Sequence, residues 1–182
     1  MLSVYIAILI ITLVFAFVIA EVKRTYATKG VLSNTTVCAV WLLYILHGVT
    51  AVYAAWHAIW SLPISTAISH SFAWAFLIAG LTLVLAGIFS FRSIRRMSGL
   101  DTNVLITAGV YRYSRNPQNA GWGLVLLSIA LLGRSGLALL LAAMFWLMFR
   151  IYVPLEEKYL EQVFGEAYRE YCAETPRFLG WP

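Results

Sequence analysis

The sequence predicts an all-α polytopic integral membrane protein: about five transmembrane helices, with a C-terminal helical hairpin and a cytoplasmic amphipathic tail helix. Three observations predict it. Hydrophobic residues make up 62% of the 182 residues and charged residues 12%, against roughly 45–50% and about 25% in soluble domains. The mean hydropathy is +0.82. The apolar residues gather into five runs, and the scarce charges fall between or after them. These features exclude a soluble globular domain, a disordered chain, a coiled coil, collagen and a disulfide scaffold.

A span needs about 20 mostly apolar residues to cross roughly 30 Å of hydrocarbon. Residues 2–20 form the first run, closed by Glu21, Lys23 and Arg24. With no basic start and no small-residue cleavage pattern, it reads as a retained helix rather than a cleaved signal. Residues 36–60 form the second run, long enough to tilt. Residues 72–91 form the third, stopping at Arg92, Arg95 and Arg96. The fourth, 117–132, is short for a span and opens on Pro117, a favoured first helical residue. Gly133-Arg134-Ser135-Gly136 is a turn, and residues 137–153 form the fifth run. Two apolar runs so closely spaced read as a helical hairpin. Beyond it, Leu155, Tyr159, Val163 and Phe164 follow helical spacing among polar neighbours, with Gly165 ending or bending that helix. This stripe suits the membrane surface or a cap over a site. No internal repeat is evident, which argues against the inverted-repeat transporters.

Charge orients the bundle. Lys23, Arg24 and Lys29 follow the first run, and Arg92, Arg95, Arg96, Arg112 and Arg115 follow the third. The connection between the second and third runs has no Lys or Arg, and the hairpin turn has only Arg134. The asymmetry places the N-terminus outside and the C-terminus in the cytoplasm, with a prokaryotic inner membrane as the expected location. The net charge of +5 is therefore topological, and no nucleic-acid partner is expected. Cys38 and Cys172 read as free thiols. His47 and His57, ten residues apart, are no chelating pair, and no metal site is expected. Both read as neutral histidines bonded to neighbouring helices, and His70 as solvated in an external loop. Gly80 and Gly87 share a helix face, which means close packing or, at Gly87, room for a ligand. Trp60, Trp74 and Trp181 read as interfacial anchors.

The chemistry concentrates in residues 107–121. A helix starting at Pro117 offers free N–H groups and a positive dipole end, and Arg115 just ahead can grip a carboxylate with two donors. Together they make an anion seat; the alternative is that Arg112 and Arg115 only anchor a span at lipid headgroups. Across the hairpin, Glu156 and Glu157 reach the same membrane face. Adjacent helical side chains point about 100° apart, so the two carboxylates cannot share one role. One can face a cation while the other pairs with an arginine or water. An arginine opposite carboxylates is either a structural ion pair or a seat for a zwitterion such as an amino acid.

Thr107, Gly109, Tyr111, Arg115, Asn116, Pro117 and Gly121 are followed after the hairpin by Glu156, Glu157, Leu160, Phe164, Gly165, Tyr168 and Tyr171, and then by Pro176-Arg177-Phe178. This ordered pattern resembles the superfamily of isoprenylcysteine carboxyl methyltransferases and phospholipid methyltransferases over about residues 80–182. The resemblance implies a single membrane methyltransferase domain over 1–182 that uses S-adenosylmethionine on a lipophilic acceptor entering from the bilayer. It implies a cofactor region over about 87–182, with Gly87, Gly109, Tyr111, Tyr113, Arg115, Asn116, Pro117, Glu156 and Glu157 as cofactor-binding residues. Arg115, Glu156 and Arg177 are the implied catalytic residues. Asn116 stands where many members have histidine, Asn119 where tyrosine is usual, and Ala173-Glu174-Thr175 where eukaryotic members tend to carry basic residues.

Methyl transfer from a sulfonium is an in-line displacement, so such an enzyme mainly aligns donor and acceptor. A carboxylate acceptor needs no general base and is neutralised in the reaction, which a dry pocket favours. An amine must lose a proton, and the segments assigned to the cytoplasm hold no histidine to take it. The expected acceptor is thus a carboxylate of an isoprenoid-like or other lipid. A phospholipid or amine N-methyltransferase is the alternative, followed by an NADPH-dependent sterol-reductase-like enzyme or a non-catalytic scaffold. The sequence leaves the oligomeric state open.

Overall fold

A computed structural model describes residues 2–28, 32–91, 93, 97–98, 100 and 103–178. Lys29, Arg92, Arg95, Arg96 and Trp181, which carried parts of the charge and interface arguments, lie outside the described residues. The elements are α1 (Leu2–Thr28), α2 (Asn34–Trp56), α3 (Thr66–Phe91), a single 3-10 turn (Gly109–Arg112), α4 (Pro117–Leu132), α5 (Gly136–Phe164) and α6 (Glu166–Glu174). Four of them, α1, α2, α3 and α5, are long and apolar enough to cross a membrane, and α4 is shorter.

The helix ends differ from the apolar runs for local reasons. The first helix continues past its charges to Thr28, where Arg24 pairs with Glu21 at 2.6 Å and the Thr25 hydroxyl donates to the Glu21 carbonyl. The second is capped by Ser33, whose Oγ accepts from the Thr36 N–H at 3.1 Å. It stops at Trp56, because Ala58 and Trp60 take positive φ values of 43° and 56°. The third starts at Thr66, six residues earlier than its apolar run. This corrects the placement of His70, which is helical and sets Nε2 3.3 Å from the Leu132 carbonyl oxygen. Pro154 does not end the fifth helix, so the amphipathic stripe is the continuation of α5 and not a separate helix. At about 1.5 Å per residue, 29 residues run about 43 Å, well beyond the hydrocarbon. Gly165, at φ +56°, breaks the helix and starts α6.

Polarity is inverted as a membrane requires. Leu13, Val49, Phe89 and Leu147 are exposed on the outside, whereas small and polar residues face neighbouring helices. α4 sits at the centre, packed on α2, α3 and α5. Its contact with α3 runs through Gly80 and Gly121. A Cβ on Gly80 would stand 2.7 Å from the Gly121 carbonyl oxygen, and one on Gly121 would stand 2.6 Å from that of Gly80. Backbones this close admit only glycine. Ala51, Ala54, Leu126, Leu137, Leu141, Phe145 and Val153 close the core between α2, α4 and α5. His47 Nε2 lies 2.9 Å from the Leu141 carbonyl oxygen, joining α2 to α5.

The two ends of the bundle differ. At one, the α4–α5 turn is tied to the connection after α2: Ser135 Oγ donates to the Ile59 carbonyl at 2.7 Å, and the Gly136 N–H donates to that of Trp60 at 2.9 Å. At the other end α1, α3 and α5 finish, α2 and α4 begin, and the chemistry-bearing residues collect.

Candidate active site

That second end encloses a cavity of about 460 Å³, within the range of small-molecule sites. Its walls come from all six helices and from the segment preceding α4.

The 3-10 turn brings the first wall inward. Gly109 adopts φ +65°, a conformation costly for a residue with a Cβ. The turn buries Tyr111, whose ring meets Phe91 edge-on at 5.4 Å, and the Tyr171 hydroxyl donates to the Tyr111 carbonyl at 2.7 Å. Two residues past the turn, Ser114 Oγ accepts from the Asn116 N–H at 3.1 Å. The chain then enters α4 at Pro117.

Arg115 ties this entry to the tail. Its backbone N–H donates to the Pro176 carbonyl at 2.9 Å. Its guanidinium contacts Cys172 Sγ through one terminal nitrogen, and the other lies 3.4 Å from Glu157 Oε1. The third nitrogen, Nε, is buried without a hydrogen-bond partner among the described residues. Glu157 also holds Arg177, whose Nε lies 3.0–3.1 Å from both carboxylate oxygens and whose terminal nitrogen donates at 2.6 Å. One carboxylate thus answers two arginines. Glu156, a neighbour by sequence but turned about 100° around α5, faces the cavity. Among the described residues it has no cation and no hydrogen-bond donor.

Of the residues assigned from sequence to cofactor binding or catalysis, Tyr111, Arg115, Asn116, Glu156 and Glu157 line the cavity. The others stand back from it. Tyr113 points outward and is 72% exposed. Gly109 shapes the turn, Pro117 is buried in the first turn of α4, and the space over Gly87 is filled by Gln118. Arg177 meets Glu157 from the outer side, with its side chain 46% exposed.

The cavity also recruits residues that sequence reasoning had not assigned to it. Tyr26 from α1, Tyr44 from α2 and Tyr152 from α5 line it, together with Asn119 and Trp122 from α4. Tyr26 stacks on Tyr159 at 4.0 Å, joining α1 to the extension of α5. The available signal was a set of tyrosines at the depth of the glutamate pair, two of them upstream of the motif region. Outside the spans, burial pushes the phenols of Tyr111, Tyr168 and Tyr171 well up, with the nearby glutamates adding to it at Tyr111 and Tyr168. They stay neutral at physiological pH and supply no base.

A family model described as phospholipid methyltransferase matches residues 68–167. The protein-S-isoprenylcysteine O-methyltransferase of Schizosaccharomyces pombe is 33% identical over 75 residues, covering 41% of this chain and 32% of that protein. Protein-S-isoprenylcysteine O-methyltransferase B of Arabidopsis thaliana is 31% identical over 90 residues, covering 48% and 45%. The protein-S-isoprenylcysteine O-methyltransferase of Dictyostelium discoideum is 32% identical over 72 residues, covering 39% and 30%. The chain thus matches less than half the length of each of these relatives. No solved structure gives a significant match.

Proposed function

The chain belongs to the phospholipid methyltransferase family, and on that premise we propose that it is a membrane methyltransferase that uses S-adenosylmethionine on a lipid acceptor at the cytoplasmic face. The observation that carries the reading is the division of labour in the glutamate pair: among the described residues Glu157 answers two arginines and Glu156 faces the cavity unpaired.

The residues present fit this zwitterionic, cationic donor. Glu156 offers an uncompensated carboxyl to an ammonium or sulfonium charge, and the orphaned Arg115 Nε leaves a donor for a carboxylate. Burying either group unpaired is costly, and a ligand bearing both charges relieves both costs. When bound, S-adenosylmethionine supplies an electrophilic methyl group on a sulfonium. The chain's own residues hold it, align it and exclude water. Tyr111 and Asn116 close the wall beside Arg115.

The acceptor we propose is a lipid carboxylate, in keeping with the names of the relatives. It reacts without losing a proton, and the phenols of Tyr111, Tyr168 and Tyr171 remain protonated. A phospholipid amine is the second reading, favoured by the description of the family. Incubation with methyl-labelled S-adenosylmethionine and a host lipid extract separates them. Base-labile label marks a methyl ester and base-stable label an amine. A protein that takes up neither S-adenosylmethionine nor S-adenosylhomocysteine in calorimetry overturns the proposal.

A further inference from the structure

A chain of three side chains crosses from the cavity to the tail. The Tyr44 hydroxyl donates to Asn119 Oδ1 at 2.9 Å, Asn119 Nδ2 donates to Asn116 Oδ1 at 3.2 Å, and Asn116 Nδ2 donates to the Arg177 backbone carbonyl at 3.0 Å. Its direction does not depend on how either amide is assigned. A backbone carbonyl can only accept, so Asn116 must turn its NH2 toward Arg177 and its oxygen toward Asn119. Asn119 must then donate to Asn116 and turn its own oxygen toward Tyr44. The single proton of Tyr44 is therefore committed, and only the lone pairs of its oxygen remain for the cavity that it lines.

Within electrostatic reach of it, the Glu156 carboxyl, without a partner among the described residues, faces the same cavity. Around Tyr44 stand Trp122, Phe145 and Phe149, with ring centroids 6.0, 6.1 and 6.3 Å away. Lone pairs, aromatic faces and a carboxyl group in its ionised form all attract positive charge.

We propose that Tyr44 is a binding residue for an onium cation, held as an acceptor by the Asn119–Asn116–Arg177 chain, in a seat completed by Glu156. The proposal rests on the reading above, and the sulfonium of S-adenosylmethionine is its first expected occupant; a lipid ammonium shares the chemistry. Asn116 and Asn119 each turn an oxygen one way and an NH2 the other, which gives both a physical role in fixing the Tyr44 proton.

The test is calorimetry on the detergent-solubilised full chain with three probes. S-adenosylmethionine carries the sulfonium, S-adenosylhomocysteine lacks it, and tetramethylammonium is an onium alone. Tyr44→Phe and Asn119→Leu are each expected to weaken S-adenosylmethionine by about tenfold, the scale of one contact to a charged group, and to leave S-adenosylhomocysteine nearly unchanged. The unchanged arm also reports that the variants fold. Equal losses for both nucleosides, or no loss, overturn the proposal for the sulfonium. A drop confined to tetramethylammonium keeps the seat and assigns it to a lipid ammonium, while an unchanged tetramethylammonium affinity together with an unchanged nucleoside ratio removes it. If the wild-type protein binds neither nucleoside, the proposed function fails, and the tetramethylammonium arm still decides the seat.

Discussion

Arg177 grips both carboxylate oxygens of Glu157, at 2.6–3.1 Å, while the preceding residue, Glu156, faces the cavity without a partner among the described residues. Two adjacent glutamates therefore predict opposite phenotypes. Glu156→Gln should abolish measurable S-adenosylmethionine binding in calorimetry and leave the thermal midpoint at or slightly above wild type, because an uncompensated buried carboxyl is removed. Glu157→Gln should lower stability by about 1–3 kcal/mol, since Arg115 loses its anion. Matching phenotypes for the two variants would contradict this division.

Arg115 works through geometry as well as charge. It joins the entry of α4 to the tail through Pro176 and to α5 through Glu157, and keeps one buried donor free among the described residues. A lysine keeps the charge but lacks the planar fork. Arg115→Lys should weaken S-adenosylmethionine by roughly tenfold or more, the value of a lost charge-assisted contact, and Arg115→Ala by more. A lysine variant of wild-type affinity would show that the fork is not used.

Glycines that serve packing separate from those that serve conformation. Gly121→Val would push side-chain atoms into the α3 backbone, and should cost about 2–3 kcal/mol or prevent folding. Gly165→Ala meets nothing within 4 Å and pays only for φ +56°, about 1 kcal/mol. Thermal unfolding in detergent orders the two, and a larger loss at Gly165 would contradict the assignment.

Orientation has its own test. In a Cys38→Ser background, a membrane-impermeant thiol reagent applied to intact cells should leave Cys172 unlabelled and should label a cysteine placed at the exposed Ser61. Permeabilisation should then expose Cys172. Labelling of Cys172 in intact cells reverses the proposed topology.

Much of the architecture was legible in the sequence because hydrocarbon imposes a one-dimensional rule. Run length, charge position and the Gly133–Gly136 turn mark five apolar helices and a hairpin without any knowledge of neighbours. The ends were less legible. Polar residues such as Glu21 and Thr66 continue a helix when its hydrogen bonds are satisfied locally, so hydropathy misplaces the boundary. His70 was misplaced for that reason.

The motif residues Arg115, Glu156 and Glu157 were readable from residue type and spacing, and so was the rule that adjacent carboxylates must diverge. Which glutamate is free could not be read, because it depends on the rotational phase of α5 against the entry to α4. The same holds for Tyr44, far upstream of the motif, which joins the wall only because α2 packs on α4 and α5. Sequence by itself determined how many apolar helices there are and at which end the charges collect, since burial in lipid acts on each segment separately. Tertiary structure alone decided which faces meet, because close contacts such as Gly80 on Gly121 and directional hydrogen bonds such as Tyr44 to Asn119 set helix rotation, a quantity that no segment carries on its own.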